Sequence, residues 1–152
     1  MQHVVEKLHK DHEKVEQIFG KLMDTGENAE KSRADLCRKL SLELKAHTRF
    51  EEEVFYPAIR DIGEAPEGDV QKLIDEHHEV EEMLERLDRL EPTSDGFMEE
   101  VSALKDAVQK HVRREEDEIF PIAERGIGEE DAERMARRHD EMADDFKRQA
   151  AE

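Results

Sequence analysis

Two short stretches of the chain carry the same chemically capable pattern. Residues 47–57 read His47-Thr48-Arg49-Phe50-Glu51-Glu52-Glu53-Val54-Phe55-Tyr56-Pro57, and residues 111–121 read His111-Val112-Arg113-Arg114-Glu115-Glu116-Asp117-Glu118-Ile119-Phe120-Pro121. Each is His-x-x-x-Glu-Glu, with a proline six residues after the first Glu of the pair. Upstream of each stands a lone histidine in a matching apolar setting, Leu8-x-x-x-His12-x-x-Val15 and Leu73-x-x-x-His77-x-x-Val80. The lone histidines lie 65 positions apart (77 − 12) and the paired ones 64 (111 − 47), so one unit is written twice. Positions i and i+4 of a helix share a face, which aligns His47 with Glu51 and His111 with Glu115. His12 and His77 fall on the apolar stripes Leu8, Val15, Phe19 and Leu73, Val80, Leu84. All six groups therefore point inward, where unpaired polar groups are costly. A bound metal resolves that cost, and imidazole nitrogen with carboxylate oxygen is a donor set suited to a borderline transition metal. With the two units related by a pseudo-two-fold, each of two ions takes two histidines while Glu51 and Glu115 bridge them. No nucleophile–base pair or substrate-recognition group accompanies the set, so no catalytic side chain is assigned.

Positioning these groups requires long helices, and the chain is built for them. Glu, Lys, Arg, Leu and Ala dominate, and apolar residues recur at helical spacing, as in Leu36, Leu40, Leu44 and Val80, Leu84, Leu87. Apart from Gly20, Pro57 and Pro121, Gly and Pro fall in the clusters around Gly26, Gly63–Gly68, Pro92–Gly96 and Gly126–Gly128. Five helical segments result, at roughly 2–24, 28–62, 69–91, 96–125 and 129–150. Gly63 and Gly126 suit left-handed caps, Ser94 or Asp95 an N-cap, and Glu129-Glu130-Asp131 the positive end of a helix dipole. The expected fold is all-α, an up-down four-helix bundle with an additional C-terminal helix, forming one domain over residues 1–152. Its two repeats occupy about 2–62 and 69–125.

The overall charge bounds the partners. Lys and Arg number 24 against 42 Asp and Glu, a net −18 in 152 residues. That argues against a nucleic-acid backbone or an anionic membrane surface as partner. It also approaches the composition of a disordered chain, which the regular periodicity and punctuation outweigh. No run is long and apolar enough to span a bilayer, and residues 1–6 lack the form of a signal peptide. A single cysteine, Cys37, excludes an internal disulfide framework and leaves the cytoplasm as the expected compartment.

His77 keeps register with His12, whereas His78 is rotated by about 100° and reads as solvated. Glu52, Glu53, Glu116 and Glu118 read as solvated helix faces, and His3 and His9 as surface, His9 standing close enough to support His12. Pro57 and Pro121 deprive the carbonyls of Glu53 and Asp117 of their helical donors, bending the helices around the core or shaping them beside the site. Cys37 reads as a half-buried core residue, and Tyr56 is the only tyrosine. The last segment echoes the lone-histidine pattern as Met135-x-x-x-His139-x-x-Met142-x-x-x-Phe146. His139 is left as an extra ligand, a donor behind the ligands, or a buried remnant of a third half-repeat.

The ordered set His, His-x-x-x-Glu, His, His-x-x-x-Glu with its twin prolines resembles the hemerythrin-like HHE cation-binding family, over about residues 8–125. The resemblance implies a bundle of the hemerythrin type around a non-haem di-iron centre, oxo- or hydroxo-bridged, ligated by His12, His47, Glu51, His77, His111 and Glu115. The oxygen-carrying hemerythrins have His-x-x-x-His on the third helix and His-x-x-x-x-Asp on the fourth, where this chain has Glu81 and Glu116. The implied function is therefore binding of, or reaction with, O₂, peroxide or NO at the iron pair, rather than reversible oxygen carriage. Iron storage, sensing or delivery, including iron–sulfur repair, is the alternative, as is a peroxide-decomposing or NO-reducing enzyme. A ferritin-like carboxylate protein would need Glu-x-x-His in place of His-x-x-x-Glu. A zinc hydrolase is weaker still, because His12-Glu13-Lys14-Val15-Glu16 lacks the second histidine of His-Glu-x-x-His.

Overall fold

Helix α1 (Val4–Met23) starts from His3, whose Nδ1 accepts the Val5 N–H at 3.1 Å and caps it. The computed structural model describes residues 3–151, and Gln2, the expected first helical residue, lies outside them. Helix α2 (Glu30–Phe50) runs without a break through a π-helical turn (Glu51–Phe55) into α3 (Tyr56–Ile62). Helix α4 (Asp69–Asp88) follows, and then the same composite recurs, α5 (Phe97–Arg114), a π turn (Glu115–Ile119) and α6 (Phe120–Gly126). Helix α7 (Glu129–Ala151) ends the described chain. No strand occurs among the described residues.

Four rods, α1, α2–α3, α4 and α5–α6, pack α1 on α2, α4 on α5, α1 on α5 and α2 on α4, making the bundle. The amphipathic α7 lies across α1 and α2, burying Ala132, Met135, Ala136 and His139. Among the described residues no helix is long and apolar enough to cross a membrane.

The core falls into two apolar layers with a polar layer between them. One layer includes Leu8, Phe50, Phe55, Leu73, Ile119 and Phe120, and the other Val15, Phe19, Leu44, Leu84, Leu104 and Val108. Along α1, His12 sits between Leu8 of the first layer and Val15 of the second, and His77 sits likewise between Leu73 and Val80 on α4. His47 and His111 occupy the equivalent places on α2 and α5. Apolar burial on both sides, at about 25 cal/mol per Å², holds the polar layer in register.

The π turns fall at the repeated Glu residues. Tyr56 N–H bonds to the Glu51 carbonyl and Phe120 N–H to that of Glu115, five residues back in each case. Pro57 and Pro121 follow immediately, so the helix widens at the point where the next residue has no N–H to offer. The expected bend is thus a local insertion at Glu51 and Glu115.

Three expectations at the helix ends divide. Gly63 is left-handed at φ 76°. Gly126 is not, for it remains inside α6 and Ile127 follows in extended conformation. Neither Ser94 nor Asp95 caps α5, whose N-cap is the left-handed Gly96 at φ 87°. Gly126 is small for another reason. A Cβ there would lie 2.7 Å from Cδ1 and 2.8 Å from Cγ2 of Ile62, its repeat mate. The two mates meet near the pseudo-two-fold, so a side chain at 126 would force Ile62 to shift. Gly126→Ala is expected to cost on the order of 1–2 kcal/mol, a typical overpacking cost. The check is a thermal melt, with Ile62→Ala in the same chain recovering most of the loss.

Candidate metal centre

The pleat of the bundle brings all six predicted groups together. His12, His47, Glu51 and Glu115 place one ligand atom each within 4.8 Å of one another, and so do Glu51, His77, His111 and Glu115. Every one is buried, and Glu51 and Glu115 are fully so. Both carboxylates belong to both sets. Glu51 Oε1 lies 3.1 Å from Nε2 of His47 and 3.1 Å from Nε2 of His77. Glu115 divides its oxygens, Oε1 lying 3.1 Å from His12 Nε2 and Oε2 3.6 Å from His111 Nε2.

Behind each imidazole stands a second carboxylate. Nδ1 of His12 donates to Glu116 at 2.9 Å and Nδ1 of His47 to Asp11 at 2.7 Å. Nδ1 of His77 donates to Glu52 at 3.1 Å and Nδ1 of His111 to Glu76 at 3.0 Å. All four rings therefore turn Nε2 inward with orientation fixed from the rear, the arrangement that metal-binding histidines use. The expectation that Glu52 and Glu116 are solvated faces is corrected here. Each follows a buried Glu by one position, which swings it toward the neighbouring helix and onto that helix's histidine. Asp11 and Glu76 were not anticipated, although the repeat contains the signal: an acidic residue immediately precedes both His12 and His77. Glu53 and Glu118 are exposed as expected.

The remaining histidines sort clearly. His78 is exposed while His77 is buried. His9 is exposed and donates from Nδ1 to Glu116 at 2.8 Å, supporting His12 from outside. His3 is half-buried as the α1 cap rather than free at the surface. His139 joins neither ligand set among the described residues. Its Nε2 instead donates to Asp11 Oδ2 at 2.6 Å, one step behind His47. Cys37 is half-buried against the second apolar layer, and burial with the nearby Asp88 pushes its thiol up to about 11.

Tyr56 is the buried group least visible in the sequence. Its ring stacks on His77 at 5.5 Å, as Phe120, its repeat mate, stacks on His12 at 5.6 Å. Only Tyr56 has a hydroxyl, which donates to Glu115 Oε2 at 2.6 Å and lies 3.3 Å from His77 Nε2. Burial and the charges of Glu51 and Glu115 push that phenol far above its ordinary range.

Charge inside the cluster is strongly paired. Burial alone would lift the Glu51 carboxyl, but His47, Glu115 and His111 outweigh it and hold it well below the usual range. Burial opposes a charged His47, yet Glu51 and Asp11 raise it well above an ordinary imidazole. Burial opposes His111 too, and Glu115, Glu51 and Glu76 push it up to about 12. Within the cluster four buried atoms nonetheless lack any hydrogen-bond partner, namely Nε2 of His12, Nε2 of His47, Oε2 of Glu51 and Oε1 of Glu115. Unpaired atoms of ligand type converging in an interior fit a cation, the group that would satisfy all of them.

An all-helical bundle with buried His/Glu groups able to hold a metal defines a class, and comparison with known proteins narrows it. The model of the hemerythrin HHE cation binding domain matches residues 3–123, and again 70–151. The chain belongs to that family. It is 33% identical over 126 residues to a DNA nickase of Nostoc sp. (strain PCC 7120), a match spanning 83% of this chain and 35% of the nickase. An uncharacterized hemerythrin-like protein of Schizosaccharomyces pombe is 26% identical over 137 residues, spanning 90% of this chain and 66% of that one. The chain thus spans about a third of the first relative and just under two thirds of the second. In fold it matches the crystal structure of a hemerythrin HHE cation binding domain-containing protein of Mycobacterium kansasii, described as an Rv2633c homolog. That match has TM-score 0.81 at 24% identity, covering 99% of this chain and 91% of that one.

Proposed function

We propose that the protein holds two iron ions and binds, or reacts with, O₂, peroxide or NO at the pair. The observation that carries this is the doubled ligand set with both carboxylates common to both halves. In that reading His12 and His47 would hold one ion and His77 and His111 the other, with Glu51 and Glu115 serving both. Iron so held supplies redox change and ligand positions left open by six protein groups.

The rest of the chain shapes access. A cavity of about 30 Å³ abuts the four histidines and is walled by Val15, Leu44, Thr48, Val80, Val108 and Val112. Such a space accommodates a diatomic molecule or a water. Its apolar walls favour a poorly hydrated ligand. Tyr56 holds a proton on its hydroxyl between Glu115 and His77. The four rear carboxylates keep each imidazole in one orientation while a ligand arrives.

Anaerobic loading with ferrous iron and metal analysis test the count, with close to two irons per chain expected. At most one metal after full loading, or zinc alone, would overturn the assignment. The reduced protein is then mixed in parallel with O₂, H₂O₂ and NO. A lasting ligand-bound spectrum supports binding, and gas evolved from peroxide supports turnover. Slow oxidation with loss of iron would favour an iron-handling role instead.

A further inference from the structure

We infer that the two metal positions load in order, the His12–His47 position first, and that His139 on α7 secures that order. The inference rests on the two-ion reading above.

The two halves offer the same ligands and share both carboxylates, so any inequality must arise around them. In front, Nε2 of His12 and Nε2 of His47 carry no hydrogen bond. Nε2 of His77 lies 3.1 Å from Nε2 of His111 and 3.3 Å from the Tyr56 hydroxyl. Each half has carboxylate oxygens 3.1 Å from its histidine Nε2 atoms, but the His111 and Tyr56 contacts must part in addition before a cation can take His77.

Behind the ligands the difference has the same sense. Asp11 is buried and fixed from two sides, Oδ2 accepting from His47 at 2.7 Å and from His139 at 2.6 Å. Among the described residues its repeat counterpart Glu76 is half-buried and, beyond His111, pairs only with Arg114, at 3.6 Å. Glu116 is likewise fixed twice, by His12 at 2.9 Å and His9 at 2.8 Å. Glu52 has His77 alone, at 3.1 Å, among the described residues. Ligands already locked in their bound orientation lose less freedom on binding, so the first half begins with the lower cost. His139 comes from outside the four-helix bundle, on the third copy of the lone-histidine pattern. Without it, Asp11 would be held by His47 alone and could turn about its own side chain. His139 is a positioning residue, acting on the metal through Asp11 and His47.

The test is anaerobic titration of the metal-free full chain with Co²⁺, read by visible absorption and equilibrium dialysis. Two steps are expected, the first tighter by at least about 10-fold. His47→Ala should remove the tight step and His111→Ala the weak one. His139→Leu should weaken the tight step by roughly 10- to 100-fold, the usual effect of an outer partner, and leave the weak step in place. His139→Gln, which keeps a donor near the same point, should restore most of the separation. Equal steps in the parent chain would overturn the proposal, as would a His139→Leu effect that is absent or equal on both steps. Should His139→Leu fail to fold, the His47→Ala and His111→Ala titrations still decide the order, and His139→Gln the donor's part. Two ordered cobalt steps with no response to O₂, peroxide or NO would refute the proposed function and leave this inference standing. One cobalt ion at most would refute both.

Discussion

Glu51→Ala and Glu115→Ala are each expected to reduce metal content from about two ions per chain to at most one. The reason is geometric. A single oxygen of Glu51 lies 3.1 Å from a histidine nitrogen of each half. Glu115 reaches both halves by dividing its two oxygens between His12 and His111. Deleting either leaves each pair of imidazoles with one carboxylate in common. Two cations sharing that interior would then repel with less negative charge between them. Affinity for the pair should fall by more than about 100-fold, beyond the 10- to 100-fold that outer partners cost. Glu51→Gln and Glu115→Gln keep the volume and remove the charge, which separates loss of metal from loss of packing. Both Gln variants should fold and both should lack the absorption of a coupled iron pair. Retention of two irons and an unchanged spectrum in Glu51→Ala would remove Glu51 from the bridging role.

All six residues that the fold gathers into the buried cluster were legible in the sequence. Helical periodicity assigns His47 with Glu51 and His111 with Glu115 to one face each, and the 64–65 residue repeat places the halves in register. The rods followed from the same periodicity and from the clustering of Gly and Pro. Periodicity, however, says which face of a helix turns inward and not which residue meets the seam between two helices. Asp11 and Glu76 sit about 100° round from His12 and His77 and so resemble surface positions. In the bundle that rotation carries Asp11 to His47 on α2 and Glu76 to His111 on α5. Glu52 and Glu116 escaped for the same reason, being one residue past Glu51 and Glu115 and aimed at the adjacent rod. The π turns were invisible because helix propensity cannot register a single inserted residue, although the prolines marked their place. Gly126 shows the opposite limit. Its role is contact with Ile62 across the pseudo-two-fold, a long-range fact that no local turn rule contains.

Removing the metal is expected to lower the melting temperature by roughly 15–30 °C. Each ion bound at 1,000 times its dissociation constant stabilises the fold by about 4 kcal/mol. For a chain of this length 1 kcal/mol moves the melting point by about 2–4 °C. The loss should also depend on pH, and its sign follows from the buried histidines. In the metal-free fold His47 is raised well above the ordinary imidazole range and His111 is pushed up to about 12. The folded chain then keeps protons that the unfolded chain, titrating near 6.5, has released. Stability from that source is complete below about pH 6.5 and is lost as pH rises from there toward the folded values. Asp11 and Glu51 act from the other side. Burial opposes both, but their histidine partners hold them below the carboxylate range, so their contribution is present above about pH 4 and lost below it. The stripped protein should therefore be most stable between about pH 4.5 and 6.5. A cation takes the Nε2 positions that those protons occupy, so loading releases protons and strengthens as pH rises. The gap between loaded and stripped melting points should accordingly widen between about pH 6 and 8, in calorimetric scans with and without chelator. A melting point indifferent to chelation would mean that the cluster is held together by its own ion pairs alone. A gap that narrows as pH rises would mean that His47 and His111 are already neutral in the stripped fold.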